Sequence, residues 1–128
     1  MPSFSRTSKA RLATCHPDIQ RLWNEVIKEK DCIVICGART LEDQKKAFAG
    51  GFSKLDGVTK KSAHQISKEK PLSTAIDSLP YPLDWNDVKG HTEFARFVLA
   101  KASALGIQLE WGGDWKTFKD RPHFQLKK

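Results

Sequence analysis

Apolar positions along the first third of the chain recur with a helical period. Ile19, Leu22, Trp23, Val26 and Ile27 stand at i, i+3, i+4, i+7 and i+8, which predicts an amphipathic helix over residues 17–30. Pro17 suits its first turn, where a missing N–H costs nothing, and Asp18 suits its positive end. Residues 32–36 (Cys-Ile-Val-Ile-Cys) are apolar throughout and predict a strand buried on both sides. Gly37-Ala38-Arg39 reads as a turn. Thr40 and Asp43 have the spacing of a capping box, so a second helix is expected over 41–49, ending at Gly50-Gly51. Residues 52–73 are polar, rich in Lys and without period. They read as a long loop, and a long loop in a small domain is often functional.

The second half alternates strand and helix patterns. Over residues 74–79, Ala75, Asp77 and Leu79 share one face, with Ile76 and Ser78 on the other. Phe94, Phe97, Val98, Ala102 and Leu105 predict a third helix over 92–105, closed by Gly106. A short strand over 107–111 and a Gly112-Gly113-Asp114 turn lead to the closing strand. There Phe124 and Leu126 share one face while His123 and Gln125 share the other. This order predicts an α+β domain, with a small, mostly antiparallel sheet and helices packed on one side.

With 128 residues, the chain is expected to form a single domain over 1–128, with no room for a separate second one. Its 22 Lys and Arg outnumber 15 Asp and Glu, and the net charge of +7 favours an anionic partner such as nucleic acid, an acidic membrane or a cell wall. No apolar run is long enough to span a membrane, and the start lacks an apolar signal region, so synthesis in the cytoplasm without stable membrane insertion is expected. The three cysteines, Cys15, Cys32 and Cys36, do not suggest a disulfide framework. Cys32 and Cys36 read as small buried residues of a strand. Aromatic and basic residues could stack single-stranded nucleic acid, but no nucleic-acid motif of a recognised kind is present.

His64, Asp77, Asp120 and His123 are the residues that could carry chemistry. Two imidazoles and one carboxylate make a hydrolytic zinc site with a fourth position left for water. A carboxylate three residues before a ligating histidine can serve as the base that such a water needs. Asp77 lies in a run otherwise suited to burial, and a buried carboxylate needs a partner or a metal. Each residue also has a plainer reading. His64 fits a solvated loop histidine, Asp77 a strand-end cap, and Asp120 a cap for the turn before Pro122.

Ser62-Ala63-His64 followed by Ser73-Thr74-Ala75-Ile76-Asp77 resembles the Ser-x-His…Ala-x-Asp signature of the zinc D,D- and L,D-peptidases. That family includes vancomycin-resistance dipeptidases and carboxypeptidases and the phage L-alanyl-D-glutamate endolysins. Residues 110–115 (Glu-Trp-Gly-Gly-Asp-Trp) and 120–125 (Asp-Arg-Pro-His-Phe-Gln) are similar to the closing signature of the phage members. Residues 5–11, His16-Pro17-Asp18, and Gly37-Ala38-Arg39-Thr40 with Gln44 resemble them as well. The resemblance covers nearly the whole chain, in the family's order.

It implies a Hedgehog/D,D-peptidase-like fold, with zinc bound by His64, Asp77 and His123 and Asp120 as general base. Arg39 would stabilise the developing oxyanion; its plainer reading is a turn arginine paired with Glu42 or Asp43. Ser62, Gln44 and Trp111 would contact substrate, and Glu110 is a runner-up base. One departure is clear: twelve residues, 65–76, separate His64 from Asp77, the usual glycine is absent, and residues 67–72 read as an inserted loop beside the cleft. The activity implied is hydrolysis of bacterial peptidoglycan stem peptides at the L-alanyl-D-glutamate bond. The protein would be a monomeric phage-type endolysin made in the host cytoplasm and released to the cell wall by a holin-type partner. The alternatives are a D,D- or L,D-carboxypeptidase, or a non-catalytic basic binding module of the same fold.

Overall fold

The computed structural model describes residues 3–51, 55–58, 61–116 and 119–127. Two helices, α1 (Arg6–Leu12) and α2 (Pro17–Val26), precede strand β1 (Cys32–Cys36). Helix α3 (Leu41–Ala49), strand β2 (Ala75–Pro80), helix α4 (Val88–Ala104), strand β3 (Leu109–Trp111), a 3-10 turn (Gly112–Asp114) and strand β4 (His123–Leu126) follow. The four strands form one antiparallel sheet in the order β1-β2-β4-β3.

Strand periodicity divides the sheet into two faces. In the aligned rows Ile76 stands beside Phe124 and Phe124 beside Trp111, while Leu126 stands beside Leu109. All except the partly buried Leu126 are buried, and all pack with Ile19, Trp23 and Val26 of α2 and Phe94 and Val98 of α4 in one core. Trp23 lies edge-on to Phe124 with ring centroids 5.2 Å apart, and its indole N–H donates to Ser78 Oγ at 3.0 Å. The other face carries a row running Cys36, Asp77, His123 across three strands, with Gln125 and Glu110 beside it.

Most expected elements form near where the pattern placed them; α2 ends at Val26, four residues before the expected end, and three further differences stand out. β1 is an edge strand rather than one buried on both sides, and Ile33, Ile35 and Cys36 are only half-buried. Its outer edge is covered by α1, a helix the apolar pattern did not signal: Ser8 Oγ accepts from the Val34 N–H at 3.0 Å, and Arg11 Nη1 donates to the Val34 carbonyl at 3.1 Å. These bonds satisfy groups that an open edge would leave exposed to a second chain. α4 starts four residues earlier than expected, because the Asp87 side chain caps it through the Gly90 N–H at 3.0 Å. The Thr40–Asp43 capping box at the start of α3 forms as the spacing predicts.

The expected long loop partly lies outside the described residues, at 52–54 and 59–60. The inserted part is closed at its base: Thr74 N–H donates to the Ala63 carbonyl at 3.1 Å, and Ser67 and Lys70 exchange backbone hydrogen bonds at its tip. The extra residues are therefore taken up in an excursion that returns the chain to Asp77. No helix among the described residues is long and apolar enough to cross a membrane.

Candidate metal centre

Asp77 and His123 are opposite one another on β2 and β4, so both side chains leave the sheet on the face away from the core. His64 reaches them from the loop before β2. That loop is held by backbone bonds from Arg39 N to the His64 carbonyl, 2.8 Å, and from Ile66 N to the Arg39 carbonyl, 2.9 Å. Three donor atoms converge. His64 Nε2 lies 3.0 Å from Asp77 Oδ1 and 3.1 Å from His123 Nδ1, and His123 Nδ1 lies 3.3 Å from Asp77 Oδ1.

Their outer partners determine what those atoms present. His64 Nδ1 is 2.8 Å from the Gly37 carbonyl, which can only accept, so Nδ1 carries the proton and Nε2 a lone pair. Gln125 Nε2 donates to Glu110 Oε1 at 2.7 Å, so Gln125 Oε1 faces His123 Nε2, also 2.7 Å away. His123 therefore carries its proton on Nε2 and turns the lone pair of Nδ1 inward. When both rings are neutral, two imidazole lone pairs and a carboxylate oxygen face one another, and a cation, either a proton or a metal ion, is what fits between them. Three donors of a tetrahedral zinc, at ~2.0–2.1 Å from the metal, stand about 3.3 Å apart. The triangle is thus of the right size and chemistry for such an ion, and its outer partners are of the kind that orient metal-bound histidines.

Burial disfavours the Asp77 anion, but hydrogen bonds to His123 and His64 and their charge hold its carboxyl well below the usual range. Burial likewise disfavours a charged His64. Hydrogen bonds and attraction to Asp77 and Cys36 prevail and raise it to about 9. Without a metal, a proton occupies the place of the cation. Zinc affinity is therefore expected to rise roughly tenfold per pH unit from about pH 6.5 and to level off near pH 9, as one proton is displaced per ion bound. The metal-free protein should behave oppositely, since a folded pKa raised above the unfolded value stabilises at low pH. That contribution is complete below about pH 6.5 and is lost as pH rises through about 9. Competition with a chromogenic chelator across this window checks the first point, and an affinity flat with pH would contradict it.

Asp120 stands just outside the triangle, with Oδ2 3.9 Å from His123 Nδ1. Its backbone is held on both sides, Asp120 N–H donating to the Gly112 carbonyl at 3.0 Å and His123 N–H to the Asp120 carbonyl at 3.1 Å. A side chain at position 112 would put its Cβ 2.3 Å from that Asp120 carbonyl, so the turn needs glycine there for close approach. Burial, and then the negative charge of Asp77, raise the Asp120 carboxyl above its ordinary value. Arg39 Nη2 lies 3.6 Å from Asp77 Oδ2, the oxygen turned away from the triangle, and Arg39 Nη1 donates to Gln44 Oε1 at 3.1 Å. The Asp77 and Gln44 contacts replace the turn pairing with Glu42 or Asp43.

Three expectations about individual residues change. Trp111 is not a cleft residue: it lies on the core face, 4% exposed, and its indole N–H donates to the Arg121 carbonyl at 2.6 Å. Trp115 is the tryptophan at the site, its ring centroid 5.1 Å from that of His123. Gln44 is fully buried, spanning Arg39 and the Leu55 carbonyl, to which its Nε2 donates at 2.7 Å, so it holds Arg39 from behind rather than meeting substrate directly. Glu110 is committed to Gln125, which leaves Asp120 as the carboxylate beside the triangle. Ser62 Oγ accepts from the His64 N–H at 3.2 Å and lines an open cleft of about 680 Å³ next to the triangle.

Cys36 was legible only as a strand residue. The register shift between Val34 and Cys36 brings it opposite Asp77, close enough to His64 and Asp77 for the three to form another possible donor set, as Asp77, Asp120 and His123 also do. An unbulged strand would have placed Ile35 there. Burial raises the Cys36 thiol, but a hydrogen bond to His64 and the charges of His64 and Arg39 bring it below its ordinary value.

Residues 2–126 match the family of phage L-alanyl-D-glutamate peptidases. The chain is 26% identical over 104 residues to the Bacillus subtilis peptidoglycan L-alanyl-D-glutamate endopeptidase CwlK, a match covering 75% of this chain and 60% of that protein. It is 32% identical over 88 residues to the L-alanyl-D-glutamate peptidase of Listeria phage A118, covering 69% of this chain and 27% of that one. It thus spans about three fifths and about a quarter of these two relatives. The crystal structure of Serratia marcescens L-Ala D-Glu endopeptidase ChiX superposes with a TM-score of 0.78 at 29% identity, covering 98% of this chain and 90% of that chain. With the family match running through nearly every residue, and with the overall fold shared with a solved L-Ala D-Glu endopeptidase, the chain belongs to the phage L-alanyl-D-glutamate peptidase family.

Proposed function

We propose that the protein is a zinc peptidase that hydrolyses the L-alanyl-D-glutamate bond of peptidoglycan stem peptides. The observation that carries this reading is the convergence of His64 Nε2, His123 Nδ1 and Asp77 Oδ1, with a carboxylate just outside their triangle. When bound, zinc supplies Lewis acidity, making a water nucleophilic near neutral pH and polarising the scissile carbonyl. His64, Asp77 and His123 hold it. Asp120 accepts the proton of the attacking water and returns it to the leaving amine; its raised pKa makes it a better base than an ordinary carboxylate. Arg39, held by Gln44 and Asp77, presents its guanidinium to the oxyanion that develops. Ser62 keeps His64 in place through its backbone N–H.

A wall-degrading peptidase related to a phage protein fits host-cell lysis, with passage across the membrane provided by a separate holin-type protein. The net charge of +7 would draw the enzyme to anionic wall polymers once it arrives. Mass spectrometry of digested peptidoglycan tests the reading. New L-alanine carboxyl and D-glutamate amino termini are expected with zinc present, and none in excess chelator. Release of D-alanine would instead show carboxypeptidase cleavage, and intact peptidoglycan beside a zinc-loaded protein would show a binding module.

A further inference from the structure

The cleft of about 680 Å³ shares a wall with the triangle. Ser62 bonds the His64 backbone, Gln125 bonds His123, and Trp115 lies against the His123 ring. The charged side chains of the lining are all cationic: Lys61, Lys70 and Lys127 stand among apolar and neutral residues such as Leu55 and Leu126, and no carboxylate lines it among the described residues. Lys61 and Lys127 are exposed and take part in no ion pair among those residues. Lys70 comes from the inserted excursion, which it fastens to the site by donating from Nζ to the Ala63 carbonyl at 2.9 Å. The contrast with the second cavity, of about 430 Å³, is sharp: it lies at the far end of β2 and is lined by Glu29, Asp31, Asp84, Asp87 and Glu93.

A glutamate joined to L-alanine through its amine has two carboxyl groups, and a stem peptide continues through one of them. The other remains as a free carboxylate a few bonds from the scissile nitrogen. We infer that the Lys-lined cleft beside His123 is a carboxylate-reading subsite, in which Lys61 and Lys127 recognise the free glutamate carboxylate of the leaving fragment. The inference rests on the proposed peptidase reading and adds a specificity to it. Two ammonium groups on an open cleft wall select by charge more than by fixed geometry, so the preference should weaken with salt. Because Lys70 also tethers the excursion, substituting it would disturb the His64 loop, and the test leaves it intact.

The test uses two synthetic stem peptides that differ only in this group, carboxylate in one and carboxamide in the other. Binding is measured with the chelated protein by Trp fluorescence or calorimetry, and cleavage with the zinc-loaded protein. The acid peptide is expected to bind about three- to tenfold tighter than the amide at low salt, the range of two partly exposed ion pairs. In K61A/K127A this preference should vanish through KM rather than kcat. Equal binding of the two peptides to the wild-type protein would overturn the inference, as would a preference that survives K61A/K127A. Tighter acid binding without cleavage of either peptide would support the subsite and sink the peptidase reading. Cleavage of both at equal rates and affinities would do the reverse.

Discussion

Asp120→Asn is expected to lower peptide cleavage by about 10²- to 10⁴-fold while zinc remains stoichiometric. Asp120 lies near the triangle but not in it, with Oδ2 3.9 Å from His123 Nδ1, against edges of 3.0 to 3.3 Å within it. An amide of the same shape keeps the backbone bonds to Gly112 and His123 but cannot take a proton from water. Folding should not suffer, because burial and the charge of Asp77 already act against the Asp120 anion. His123→Ala should lose zinc and cleavage together, since it removes one of the three donors and the group that Gln125 orients. Metal analysis and cleavage rates on both variants separate base from ligand. Near-full activity in Asp120→Asn would show that another group moves the proton.

Gly37→Ala is expected to damage the centre from outside it. The added methyl would stand 2.4 Å from the Arg11 carbonyl oxygen and 2.3 Å from Thr14 Oγ1. Neither can easily yield. The Arg11 carbonyl also accepts the Thr14 hydroxyl at 2.6 Å, and Thr14 Oγ1 accepts the Ala38 N–H at 2.9 Å. The strand end must therefore shift, at a cost of about 1–3 kcal/mol, as for other insertions into packed sites. The shift moves the Gly37 carbonyl that holds the His64 proton on Nδ1. Loss of such an outer partner weakens metal binding by about 10- to 100-fold. Thermal unfolding of the metal-free protein reads the first effect, and competitive zinc titration reads the second. A lower unfolding temperature with unchanged zinc affinity would mean that the Gly37 carbonyl does not orient His64.

The facing of the candidate strand residues was legible because strand periodicity is local. With Phe124 and Leu126 turned to the core, His123 and Gln125 must face the other way, and the same alternation sets Asp77 apart from Ile76. Membership of the family was readable from motif order. What these patterns lacked was the identity of each residue's neighbour. Every residue of Cys32–Cys36 is apolar, so no local signal distinguishes its two faces, and only pairing with β2 produces the bulge that turns Cys36 toward Asp77. Trp111 and Trp115 flank the same turn, yet one falls on the core face opposite Phe124 and the other lies against His123.

The Glu110–Gln125–His123 relay and the Gln44 support for Arg39 likewise join residues 15 and 5 positions apart through contacts that only folding creates. The chain by itself determined which side chains leave each strand on which face, since backbone geometry ties facing to sequence spacing, and its motif order pointed to the residues that could hold a metal. The tertiary structure decided their partners, and with them the tautomers of both histidines, the separation of Asp120 from the triangle and the lysine-lined wall beside it. Those depend on register and packing between distant segments, which periodicity along one segment does not encode.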